Sequence, residues 1–173
     1  MAKRKKAAAE SETIMNELVL PNDTNTLNNL MGGRLMHWMD IAAAIAAQKH
    51  SNRIVVTASV DNVSFSEPIR LGNVVTFKAK VTRAFNSSME VYIEVTAEDI
   101  PARKKLDSNK AFFTFVAVDQ SGSPIDVPEV IPETEEENEL YAGALRRRQL
   151  RLVLSKRMKP SDATELKSLF LDE

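Results

Sequence analysis

Between Arg34 and Lys49 the chain runs Leu-Met-His-Trp-Met-Asp-Ile-Ala-Ala-Ala-Ile-Ala-Ala-Gln, and Asp40 is its only formally charged residue. Alanine favours helix, and apolar or small residues stand on every side, so the segment predicts a long helix held in an interior rather than on a surface. A carboxylate withdrawn from water without compensation is costly, so Asp40 requires a hydrogen-bonding partner or a cleft beside it. It is either a satisfied core aspartate or a functional acid. Gly32-Gly33 just upstream favour the second reading, because bare glycines at a helix start leave its N–H groups open to an anion.

The rest of the chain supplies strands. Thr13 to Leu20 reads as a first strand stopped by Pro21, and the Asn- and Asp-rich stretch from Pro21 to Met31 is an ordered loop leading to the glycines. Arg53 to Val60 has the β-branched content of a buried strand. Val75, Phe77, Ala79 and Val81 alternate with polar residues, as do Met89, Val91, Ile93, Val95 and Ala97, which predicts an antiparallel hairpin with one apolar and one wet face. A turn at Ala84-Phe85-Asn86 predicts pairing of residues whose numbers sum to about 170, placing Val81 opposite Met89 and Phe77 opposite Ile93. Asn109 to Val118 is apolar on both faces, as a central strand or one covered by another subunit would be. Acidic residues from Glu133 to Glu139 followed by basic ones from Arg146 to Lys159 describe a helix that complements its own dipole. The expected organisation is a disordered basic tail over 1–12, one α+β domain over 13–132, a charged C-terminal helix over 133–159 and a flexible tail over 160–173.

Composition narrows the function. The chain has 173 residues, 43% hydrophobic, enough for one core. Its 23 basic and 24 acidic side chains nearly cancel, so no overall field points to nucleic acid. The absence of cysteine excludes disulfides, zinc–thiolate sites and a thiol nucleophile, and with no histidine–glutamate cluster no metal site is predicted. No apolar run is long enough to span a membrane, and a cytoplasmic location is expected.

Several pieces together carry a resemblance: Pro21-Asn22-Asp23-Thr24-Asn25, Gly32-Gly33 with Met39-Asp40, Val56-Thr57-Ala58-Ser59-Val60-Asp61, Ser87-Ser88-Met89-Glu90, Ala111-Phe112-Phe113-Thr114-Phe115 and Val130-Ile131-Pro132-Glu133. With them the chain resembles the hotdog-fold acyl-CoA thioesterases, in particular the acyl-CoA hydrolases that include bacterial enzymes and the brain-type cytosolic enzyme. The resemblance implies a single hotdog domain, a curved antiparallel sheet wrapped around the long helix, with a further C-terminal helix. Met31 stands where many hotdog thioesterases carry histidine. The brain-type proteins hold two hotdog modules in one chain; one module here implies a homodimer that forms the active site and, by the family's habit, a hexamer built as a trimer of dimers.

Hydrolysis of a thioester needs a base or nucleophile and donors for the oxyanion. Asp40 suits the first role, attacking the carbonyl or deprotonating water, and the Gly32 and Gly33 N–H groups suit the second. The resemblance assigns Asn25, fifteen residues before Asp40, to orienting water or polarising the carbonyl from across the dimer interface. Ser59 sits where some relatives carry a water-orienting serine, and Thr57 has no better support. Ser87, Ser88 and Arg53 are candidates for the coenzyme A portion. His37, one helical turn before Asp40, reads as a packed or half-exposed residue rather than a catalytic one. The reaction needs no cofactor, coenzyme A being part of the substrate. A non-catalytic acyl-CoA-binding protein would bind the thioester without releasing thiol, and a hotdog enoyl-CoA hydratase would add water while keeping the thioester.

Overall fold

The computed structural model describes residues 4–61 and 63–171. The chain divides between Ile131 and Pro132 into two compact units. In the first, five strands form an antiparallel, curved sheet in the order β2 (Thr13–Leu18), β4 (Val74–Ala84), β5 (Ser88–Asp99), β6 (Lys104–Val118), β3 (Ile54–Asp61). A short strand β1 (Lys5–Ala7) pairs in parallel with β7 (Glu129–Ile131) in a separate two-stranded ribbon. This is the α+β arrangement expected, with β6 inside the sheet, as its two apolar faces require.

The alternating residues take the faces predicted for them. Val75, Phe77, Ala79, Val81, Met89, Val91, Ile93 and Val95 are all buried. Their pairing differs from the expected one, however: Val81 lies opposite Val91 and Phe77 opposite Val95, a register two residues away from the sum of 170. A shift of two keeps every side chain on its face, so alternation alone does not distinguish the two registers. The cause is the turn, which falls at Asn86-Ser87 rather than at Ala84-Phe85-Asn86, since Ala84 pairs with Met89 and the Phe85 N–H donates to the Ser88 carbonyl at 2.8 Å; a bulge at Thr82, where the pairing steps from Val81 to Arg83, then takes back one residue of that shift. Thr82 is tied down by its hydroxyl, which donates to Glu90 Oε1 at 2.6 Å.

Helix α1 (Gly32–Ser51) ends at Asn52 in the left-handed conformation, with the Asn52 N–H on the Gln48 carbonyl at 2.7 Å. Leu35, Trp38, Met39, Ala42, Ala43, Ala46 and Ala47 are buried, and Trp38 meets Phe77 of β4 edge to face, 6.2 Å between ring centroids. The alanines let the helix lie close to the sheet. The opposite side of α1 is not enclosed. His37, Ile41, Ile45 and Gln48 form an exposed stripe, and Ile41 and Ile45 each keep 37% of their surface. The sequence predicts complete enclosure; five strands cover only one side of a rod. β3, expected as a buried strand, is the open edge of the sheet, and Val56 is 48% exposed.

Residues 5–11, expected to belong to a loose tail, are held in place; residues 1–3 of that tail lie outside the described residues. Lys6 Nζ donates to the Lys49 carbonyl at 2.7 Å and to Asn52 Oδ1 at 3.0 Å, capping the C-terminal end of α1. Ser11 is buried, and its Oγ accepts the Val81 N–H at 2.9 Å beside the bulge. None of these partners is near in sequence, so local composition could not reveal them.

In the second unit, α2 (Glu135–Leu154) opens with a capping box, Thr134 accepting the Glu137 N–H at 3.1 Å while Glu137 Oε2 accepts the Thr134 N–H at 3.3 Å. The helix stops short of the expected 133–159. The tail predicted as flexible holds a helix, α3 (Thr164–Leu171), whose Leu166 N–H donates to Gln149 Oε1 at 3.0 Å. Residues 172 and 173 lie outside the described residues.

His50, at the last turn of α1, is fully buried; its Nε2–H donates to the Pro128 carbonyl at 2.8 Å and its Nδ1 finds no partner among the described residues. Burial holds its pKa below the ordinary 6.5, and the Pro128 carbonyl offsets that loss of hydration only in part. A depressed folded-state value means that the unfolded chain takes up the proton first, so this stability is complete above 6.5 and is lost as pH falls below it. The urea midpoint is therefore expected to drop between about pH 7.5 and pH 5.5, and His50→Gln, which cannot titrate there, should show a smaller drop. Equal slopes for the two proteins would remove His50 as the cause.

Candidate active site

Asp40 lies in the third turn of α1, half-buried at the border between the covered side and the exposed stripe. Its Oδ1 accepts a hydrogen bond from Thr57 Oγ1 at 2.7 Å. The company that a carboxylate on an apolar helix requires is thus a hydroxyl from the edge strand, together with access to solvent. Thr57 reaches it because it pairs with Phe115, whose side chain is on the buried, helix-facing side of the sheet.

Ser59 does not join them. Between Thr57 and Ser59 the register slips, so that Ser59 pairs with Thr114 rather than with Phe113. Phe113 and Phe115 line the helix side, so Thr114 and Ser59 belong to the other face. In a regular strand Thr57 and Ser59 would share a face; the extra residue at the bulge separates them. The sequence supports Thr57 no better than Ser59, and Thr-Ala-Ser contains no glycine or proline to mark the bulge.

At the start of α1 the N-cap position is Met31, whose side chain makes no capping hydrogen bond. Its carbonyl takes the Arg34 and Leu35 N–H groups, each at 3.0 Å, and among the described residues no acceptor serves the N–H of Gly32 or Gly33. A side chain at Gly32 would begin 3.4 Å from the Phe65 ring, whereas the space above Gly33 is open. Next to this helix start is a cleft of about 350 Å³ whose apolar walls are Leu30, Leu35, Phe65, Pro68 and Ile69.

The loop before the helix is pinned by Asp23, which is buried. One carboxylate oxygen accepts the Leu20 N–H at 2.9 Å, the other pairs with Arg34 Nε at 3.1 Å, and the Asp23 carbonyl takes the Met31 N–H at 2.9 Å. On this frame Asn25 is exposed, and its Oδ1 accepts the Leu27 and Asn29 N–H groups at 2.9 and 3.2 Å. With the oxygen committed to the loop, the NH2 group is what Asn25 presents outward, as a donor.

Within one chain these groups do not converge. Asp40 follows Gly33 by seven residues, which places it about 10 Å further along the helix axis, too far for both to touch one carbonyl group. The hydrogen bonds of Asn25 stay inside its own loop. Ser88 shares a cross-strand row with Val116 and Val56, about 10 Å from β3, and Ser87 lies in the adjoining turn. Arg53 is exposed beyond the far end of α1, roughly 16 Å along the axis from Asp40 to Ser51.

The thioesterase superfamily model matches residues 27–102. The uncharacterized acyl-CoA thioester hydrolase YkhA of Bacillus subtilis is 42% identical over 138 residues, covering 80% of this chain and 80% of that protein. This chain belongs to the hotdog-fold acyl-CoA thioesterases. Acyl-coenzyme A thioesterase 11 of Mus musculus is 44% identical over 149 residues, 86% of this chain, which spans only 25% of that longer protein. Among solved structures, an apo-hexameric acyl-CoA thioesterase superposes with a TM-score of 0.85 at 39% identity, covering 88% of this chain and 97% of the other. The acyl-CoA hydrolase of Staphylococcus aureus, solved with butyryl coenzyme A, coenzyme A and coenzyme A disulfide, has a TM-score of 0.80 at 39% identity, covering 88% and 95%. Further structures of that hydrolase carry an aspartate, an asparagine or a threonine replaced by alanine, at TM-scores of 0.76 to 0.83. In that protein the aspartate follows the asparagine by fifteen residues and precedes the threonine by seventeen, the spacings of Asn25, Asp40 and Thr57 here.

The sequence pieces gave Asp23 no role, yet it determines where the Asn25 loop sits. Asp23→Ala leaves the Leu20 N–H and the Arg34 guanidinium unpaired and should cost about 1–3 kcal/mol in urea unfolding. A loss below about 0.5 kcal/mol would show that the loop is held by other contacts.

Proposed function

We propose that two copies of this chain build a centre that hydrolyses acyl-CoA thioesters, Asp40 and Thr57 coming from one copy and Asn25, Gly32 and Gly33 from the other. The observation that carries this reading is the separation of about 10 Å between Asp40 and the free N–H donors along one helix. A second copy can close that gap, and the exposed stripe of α1 beside the open edge of β3 supplies the apolar surface it would cover. The hexameric state of one structural neighbour supports a higher assembly of such pairs, a trimer of dimers.

In this centre Thr57 donates to Asp40 Oδ1 and holds the carboxylate in one orientation. Asp40 delivers negative charge to the thioester carbon, directly or through a water whose proton it takes. The charge that develops on the carbonyl oxygen is met by the Gly32 and Gly33 N–H groups at the positive end of α1 and by the Asn25 amide. The C–S bond then breaks, and the leaving sulfur takes a proton. On the direct route, water cleaves the acyl–Asp40 anhydride in a second step; either way the products are coenzyme A and a carboxylate. No cofactor is required. Coenzyme A phosphates lie outside this chemistry, and Ser87, Ser88 and Arg53 are their proposed contacts, at some distance from Asp40. A cytoplasmic location belongs to the same reading and suits a chain without cysteine.

Thiol release from acyl-CoAs tests the proposal. Asp40→Asn should keep the fold and lower kcat by about 10²-fold or more, and Thr57→Val should lower it by about tenfold with KM little changed. Unchanged rates for Asp40→Asn would overturn the assignment. The shared centre has a test of its own, in which inactive Asn25→Ala and Asp40→Asn chains are unfolded and refolded together. Half of the dimers are then hybrids with one intact centre each, so about a quarter of wild-type activity should return. Centres contained in one chain would return none.

A further inference from the structure

We infer that the cleft beside the first turn of α1 receives the acyl chain and that Phe65 sets how long that chain can be. The inference rests on the hydrolase reading above and adds to it a place and a limit for the tail. Gly32 lines the cleft, so a carbonyl oxygen received by its N–H stands at the cleft mouth. Two directions lead away from there. One enters the apolar walls of Leu30, Leu35, Phe65, Pro68 and Ile69; the other follows a neighbouring groove lined by Leu27, Asn28, Asn29, Arg70 and Leu71, which is mostly polar and meets the cleft at Asn29. An alkyl tail gains free energy only in the first, and the polar amides of the coenzyme A arm suit the second.

The walls of the cleft are not equally firm. Ile69 is buried and its carbonyl takes the Leu30 N–H at 2.7 Å, and Leu35 is fixed within α1. Phe65, by contrast, stands on a segment without helix or strand, is 52% exposed, and seats its ring against the bare backbone of Gly32. That position is open to the ring because Gly32 has no side chain, and a longer acyl chain must displace the ring or stop at it.

The test is kcat/KM for thiol release over straight-chain acyl-CoAs from acetyl to palmitoyl. For the wild type it should rise by about fourfold per methylene while the chain finds apolar walls, then level off. Phe65→Ala should move that break to chains longer by about two carbons or more, because the removed ring leaves space, and Phe65→Trp should move it to shorter ones. Phe65→Leu replaces the alanine variant if the urea midpoint shows that the latter does not fold. Profiles that shift by one common factor at every length would overturn the inference and leave the hydrolase reading standing. A wild type that releases no thiol from any member of the series would overturn both.

Discussion

The molecule is organised by a mismatch between a helix and the sheet that receives it. α1 is apolar or small on nearly every side, and one side is buried against five strands through Trp38, Met39 and the alanines. The other side keeps Ile41 and Ile45 in water beside an edge strand that is itself apolar. The five strands cover one side of this 20-residue rod, and Asp40 stands at the border of the side left open. The same surface that lacks cover is therefore the surface that carries the acid.

Asp40 is accommodated by very little machinery. One hydroxyl from β3 and partial contact with water replace the ion pair that a fully enclosed carboxylate would need. This explains how a charge persists in so apolar a segment. It also makes the geometry of β3 matter, because the hydroxyl is in reach only while Thr57 faces the helix, and a bulge of one residue separates its face from that of Ser59. On β4 the bulge at Thr82 shifts the pairing with β5 by one residue, and Ser11 is hydrogen-bonded beside it. Single-residue irregularities thus decide positions, while the alternating pattern decides only which side is wet.

The helix start and the loop before it are tied to each other, and both present N–H donors. Asp23 and Arg34 tie the loop to the first turn, the loop fixes the oxygen of Asn25, and Met31 leaves the two glycine N–H groups uncapped. An uncapped helix start is ordinarily a cost to the fold, and here it coincides with an apolar cleft. Stability has been left unspent at the place where a charged oxygen would be received.

The long helix, the hairpin with its two faces and the doubly apolar β6 are written locally, and propensity and a period of two or 3.6 residues suffice to read them. The spacing of Asn25, Gly32, Gly33 and Asp40 was legible through the resemblance to a family, not through periodicity. What local pattern does not contain is the choice among partners distant in the chain. Lys6 reaches Lys49, Ser11 reaches Val81, and Asp40 is served by Thr57 rather than Ser59. These outcomes depend on how the elements pack and on where one extra residue falls in a strand, and only the folded chain settles them. The sequence by itself determined which residues are suited to the chemistry; the tertiary structure decided which of them meet, and which stay about 10 Å apart in a single chain, because the rise of a helix does not bend to bring its own residues together.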